Sequence, residues 1–187
     1  TSFPIVGIVT VPTLVLRLRP LILNDSIPLN PFGKLFCLAL SSISVFCACV
    51  FMTLFLPLGV AFFASIDFGQ CLSGFLGIVF WGAAAISLSV FFFTIFPQSA
   101  TLPLILSSFI VALTNFLHLV PLYVRTGKII SVLCEKFSFA WHFDSFGKGI
   151  LDSRNIFYYI AVSFLLILLS VFFEYRRIGK KTSRATL

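Results

Sequence analysis

The sequence predicts an all-α protein, a polytopic transmembrane helix bundle of about five spans with one interfacial or re-entrant segment, forming a single transmembrane domain over residues 1–187. Three observations lead there. Of the residues, 59% are hydrophobic and only 10% charged, and 25 are Phe; a soluble chain uses about a quarter charged residues to face water. Residues 68–124 contain no Asp, Glu, Lys or Arg, a run longer than one helix needs to cross a hydrocarbon core of about 30 Å. The thirteen basic residues stand at the ends of apolar runs rather than along one face. In a chain this apolar, that placement reports headgroup contact and topology. The net charge of +7 therefore implies a lipid bilayer as partner and no nucleic acid, since no reading module accompanies it.

The first span is expected at residues 2–16, uncharged and followed by Arg17-Leu18-Arg19. A secretory signal carries its charge ahead of the apolar region, so this stretch reads as the end of a transmembrane helix. Residues 20–34 then form a connector, with Asn24, Asp25, Asn30 and three prolines opposing a continuous helix. The second span is expected at 35–64, kinked or shortened by Pro57 and Gly59. The uncharged run divides into a third span at 70–95 and a fourth at 101–124. The turn falls at Phe96-Pro97-Gln98-Ser99, because proline disfavours helix at the residue before it. Asp67 marks a solvated loop. Gly74, Gly77 and Gly82 let other helices approach the third span. The last span is expected at 156–173, ahead of Glu174-Tyr175-Arg176-Arg177.

Between the fourth and last spans, residues 129–153 mix aromatics with small polar groups, which suits the membrane boundary. The alternation of Phe137, Phe139, Trp141 and Phe143 also fits a strand. A lone strand in lipid leaves its backbone unpaired, so a helical interfacial segment is expected. With the C-terminal tail in the cytoplasm, eight basic residues lie inside and five outside, the direction of the positive-inside bias. Five spans then put the first residue outside.

No catalytic, cofactor or metal site is expected. Cys47-Ala48-Cys49 lacks a second ligand pair, and Cys71 and Cys134 share the outer side, where a disulfide is possible. Gly127-Lys128 and Gly147-Lys148-Gly149 each lack the earlier glycine of a phosphate-binding loop. Two polar residues inside the fourth span, Asn115 and His118, are candidates for function by their depth. The commoner role for such residues is a helix–helix hydrogen bond.

Two stretches resemble a known family, the permease subunits of type-2 ABC exporters, in particular the gliding-motility and nitrous-oxide-reductase-maturation branch. One runs from Phe55-Leu56-Pro57-Leu58 through Asp67-Phe68-Gly69 and Ser73-Gly74-Phe75-Leu76-Gly77 to Trp81-Gly82-Ala83-Ala84. The more specific one includes His142, Phe143, Ser145, Phe146, Lys148, Gly149, Asp152 and Arg154, and closes on Glu174, Arg176 and Arg177. The resemblance implies a subunit that forms a translocation path in the bacterial inner membrane. It would be driven by a separate ABC ATPase subunit that binds the ATP, and paired as a homo- or heterodimer with another permease chain. It implies no cofactor and no covalent chemistry in this chain. Such permeases carry six spans, so five are expected to correspond to all but the first. Where the family has an acidic-basic stretch, this chain has Arg17-Leu18-Arg19-Pro20-Leu21. That departure leaves a second expectation, a non-transporting membrane scaffold or assembly factor.

Overall fold

A computed structural model of the protein describes the backbone of residues 5–22, 30–61, 67–123 and 128–185. Every regular element among them is helical. The first helix, α1 (Ile5–Ile22), runs past the expected end at residue 16 through Arg17, Arg19 and Pro20. Its last turn is anchored there. The Arg19 Nη2 donates to the Pro97 carbonyl at 3.0 Å, and the guanidinium lies 5.8 Å from the centre of the Phe93 ring. The connector is correspondingly short, and residues 23–29, with Asn24 and Asp25, lie outside the described residues.

Proline explains where the next helices begin and break. In α2 (Pro31–Thr53) a proline opens the helix, where its missing N–H is not needed. The expected second span continues as a separate short helix, α3 (Phe55–Ala61). The break falls at Leu54, ahead of Pro57, because a proline ring displaces the carbonyl four residues back, here that of Thr53. The same rule shortens the fourth span. α4 (Phe68–Ile95) ends at the Pro97 turn as expected, and α5 (Thr101–Phe116) follows. α5 then gives way to a 3₁₀ turn at Leu117–Leu119 and a short α6 (Val120–Tyr123), since Pro121 presses on the carbonyl of Leu117. Pro103 is tolerated because it lies in the first turn of α5, where N–H groups have no intrahelical partner. The segment expected at the boundary is two helices, α7 (Lys128–Phe137) and α8 (Phe139–Gly147), parted at Ser138. The last helix, α9 (Ser153–Ala185), begins before residue 156 and runs on through the basic tail.

The centre of the bundle is α4, which touches α1, α2, α5, α8 and α9. Trp81, Ala84, Ala85, Ile86, Val90 and Phe93 on it are fully enclosed, as a helix apolar all round requires. Among the described residues, three helical stretches are long and apolar enough to cross a membrane: Phe32–Pro57, Phe68–Ile95 and Ser153–Ile178. α5 is apolar but has 16 residues, about 24 Å at 1.5 Å per residue. Polar side chains inside these helices bond to their own backbone. Ser42, Ser87, Ser89, Thr94 and Ser170 each donate to the carbonyl four residues earlier, at 2.7–2.8 Å. That removes the penalty of an unsatisfied hydroxyl in an apolar surround.

Candidate functional site

The resembling segment folds as one docked unit. Ser138 caps α8, its hydroxyl accepting from the Trp141 N–H at 3.4 Å. At the other end Gly149 takes a left-handed φ of +82°. The turn closes with Gly149 N–H donating to Phe146 O and Ile150 N–H to Ser145 O, at 3.1 and 3.0 Å. This six-to-one closure needs a residue free of a Cβ at Gly149. Asp152 then starts α9, its carboxylate accepting from the Arg154 N–H at 3.0 Å. Lys148 pairs with Asp144 along α8 in an exposed ion pair; Arg154 is exposed. These members of the motif shape and terminate helices.

Phe143 and Phe146 fix the segment to α4. A Cβ at Gly77 would stand 2.7 Å from the Phe146 Cβ and 3.1 Å from Phe143 Cε2, so only glycine admits α8 at this distance. Gly82 serves Phe46 of α2 in the same way, whereas nothing lies within 4 Å of a Cβ at Gly74. Two side chains near the start of α4 satisfy the last carbonyls of α8. Ser73 Oγ donates to Phe146 O at 2.9 Å and Gln70 Nε2 to Gly147 O at 2.8 Å.

His142 is buried between α7 and α9. Its Nε2 is 3.0 Å from the Lys136 carbonyl and its Nδ1 is 2.7 Å from Asn155 Oδ1. The ring stacks on Tyr158, 3.9 Å between centroids and 19° between planes. A carbonyl only accepts, so Nε2 carries a proton. Nδ1 then either accepts from the Asn155 amide or, in the imidazolium, donates to its oxygen. The tyrosines complete the arrangement. Tyr158 donates to Phe137 O at 3.2 Å and Tyr159 to Phe139 O at 2.7 Å. The last carbonyls of α7, those of Lys136 and Phe137, are thus met by His142 and Tyr158, Tyr159 adds a bond to the first carbonyl of α8, and the assembly works as a latch.

Asn115 is buried and takes the helix–helix role. Its Oδ1 accepts from Trp81 Nε1 at 3.0 Å, and its amide donates to Val111 O at 2.7 Å. The His118 side chain lies outside the described residues. The cysteines, Cys71 and Cys134 included, are free thiols. Among the described residues no three His, Cys, Asp or Glu side chains converge as a metal site would require.

Glu174, Arg176 and Arg177 stand at the opposite end of the bundle. Arg177 Nη1 is 3.8 Å from Glu174, and the Arg176 guanidinium lies 5.1 Å from the Phe172 ring centre. Arg19 lines a cleft with Glu174, Arg177 and Pro97.

Sequence reading singled out His142 but not its partners Asn155, Tyr158 and Tyr159, nor Trp81 as the partner of Asn115. A signal existed for each. An indole N–H in an apolar run needs an acceptor, and a tyrosine pair opening a span has hydroxyls to place. Comparison with protein-family models, curated proteins and solved structures gives no match.

Proposed function

We propose that the chain is the permease subunit of an ATP-driven transporter, crossing the bilayer five times through α1, α2, α4, α5 and α9. The observation that carries this reading is a contact. The two stretches on which the resemblance rests meet in the fold, Gly77 and Ser73 of one against Phe143 and Phe146 of the other. In this reading the C-terminus is cytoplasmic in a bacterial inner membrane. α7 and α8 form the interfacial or re-entrant element on the far side, with Ile129, Leu133, Phe137 and Trp141 exposed toward lipid. The translocation path forms with another permease chain. A separate ABC ATPase subunit binds the ATP and moves the helices through the cytoplasmic connectors, the one between α1 and α2 and residues 96–100.

Purification in mild detergent from the native source tests this. A nucleotide-binding subunit should accompany the chain in fixed ratio, and the complex in liposomes should hydrolyse ATP faster when substrate is present. Recovery without any such subunit counts against the reading. The second reading, a non-transporting scaffold or assembly factor, draws on Arg17-Leu18-Arg19-Pro20-Leu21 standing where the resembling family has its acidic-basic stretch. It predicts that the ATPase co-purifies while no substrate stimulates it.

A further inference from the structure

Charge is divided unequally between the two ends of the bundle. Among the charged side chains that the structure describes, five basic and one acidic (Arg17, Arg19, Lys34, Arg176, Arg177 and Glu174) stand at the end where α1 finishes, and three basic and four acidic at the other. The first end is therefore strongly cationic and the second is not. At the first, the ends of α4 and of the apolar part of α9 border an open cleft of about 260 Å³, lined by Thr94, Ile95, Phe173, Arg176 and Arg177. It adjoins the cleft that holds Arg19 and Glu174, with Thr94 and Arg177 common to both.

The donors in this open cleft have capacity to spare. Arg177 is at ion-pair distance from Glu174 but beyond hydrogen-bond reach. Arg176 makes no ion pair among the described residues and only overlies Phe172. Thr94 donates its hydroxyl proton to Val90 O, so it contributes wall rather than a donor. Below the guanidinium groups the flank is apolar: Phe172 and Phe173 are 54% and 41% exposed. Two cationic forks above an apolar flank fit a ligand with an anionic head and a hydrocarbon tail. Guanidinium forks match phosphate oxygens, and basic pockets between helix ends at a membrane surface suit anionic headgroups.

We propose that the cleft between the ends of α4 and α9 binds an anionic phospholipid, its phosphate held by Arg176 and Arg177 and its acyl chains along Phe172 and Phe173. The site stands apart from the transport reading, which can fail without touching it.

The full chain, reconstituted in nanodiscs of equal phosphatidylglycerol and phosphatidylcholine and then extracted, should retain phosphatidylglycerol in preference when bound lipid is weighed by native mass spectrometry. Each arginine near a membrane surface is worth about a fivefold change in affinity. The double variant Arg176→Gln/Arg177→Gln should therefore lose most of the preference, by roughly tenfold or more, while Arg154→Gln at the other end keeps it. Glu174→Gln, which frees Arg177, should raise retention a few-fold and provides the reading if the double variant does not fold. No preference in the wild type, equal loss in Arg154→Gln, or no rise in Glu174→Gln overturns the proposal. So does displacement of the lipid by millimolar inorganic phosphate, which would make the site one for free anions.

Discussion

The two ends of the bundle solve the same problem differently. Each must finish helices whose last backbone groups find no partner within the helix. At the α8 end the answer is mutual. Ser73, Gln70, His142, Tyr158 and Tyr159 each meet a carbonyl of the α7–α8 segment. At the α1 end one half-buried cation, Arg19, reaches one carbonyl, that of Pro97, and Arg176 and Arg177 keep donor capacity. The first end is closed upon itself; the second is open to something outside the chain.

Substitutions that break the closed end should have the largest effect. Phe146→Ala empties a fully buried position against α4 and should cost about 3–5 kcal/mol, as large-to-small core changes do. Unfolding in mixed micelles would measure it. Gly77→Ala forces a methyl into 2.7 Å contact with Phe146 and should cost about 1–3 kcal/mol, in the range of overpacking. Gly74→Ala, with nothing near its Cβ, should be neutral or slightly stabilising by up to about 1 kcal/mol, and the pair of melting curves should separate in opposite directions. Arg19→Met removes the hydrogen bond to the Pro97 carbonyl and should cost about 1–2 kcal/mol. Protease cleavage near residue 97 should rise with it. Tyr159→Phe deletes one latch bond and should cost about 1 kcal/mol. Arg154→Gln, exposed and held only through its backbone N–H, should stay within about 0.5 kcal/mol. Equal losses for Arg154→Gln and Tyr159→Phe would erase the distinction between a closed end and a decorated surface.

Much of the helix layout was legible because charge-free length and proline position are both written in the sequence. The breaks shifted for a reason that is also legible: Pro57 and Pro121 act on the carbonyls of Thr53 and Leu117, four residues earlier. Asp67, read as loop, is a helix cap, accepting from Gly69. What composition did not reveal is which helix lies inside. The window in α4 has mean hydropathy 2.2 and is 61% buried, while that in α9 has 2.5 and is 17% buried. Hydropathy cannot rank them, since lipid and protein interior are equally apolar. Small residues could have ranked them: Gly77, Gly82, Ala84 and Ala85 are buried on α4, and close approach demands such side chains. The site was half legible. His142 stood out through the resembling segment and Asn115 as a polar residue in an apolar span, but their partners lie 13 and 34 residues away, and one chain's spacing does not reveal long-range pairs.

The serines and threonines of the long helices have a mechanical consequence. A hydroxyl bonded to its own helix travels with that helix. When α4 slides or turns against its neighbours, Ser87, Ser89 and Thr94 keep their bonds, and dispersion contacts are all they exchange. These hydroxyls therefore add no hydrogen bond that must break when helices shift. Resistance is concentrated where side chains reach across, as Trp81 does to Asn115, Ser73 to Phe146, Gln70 to Gly147 and Arg19 to Pro97. A load applied at the basic end would pass along α4 as along a rod, with a stop at each of those bonds.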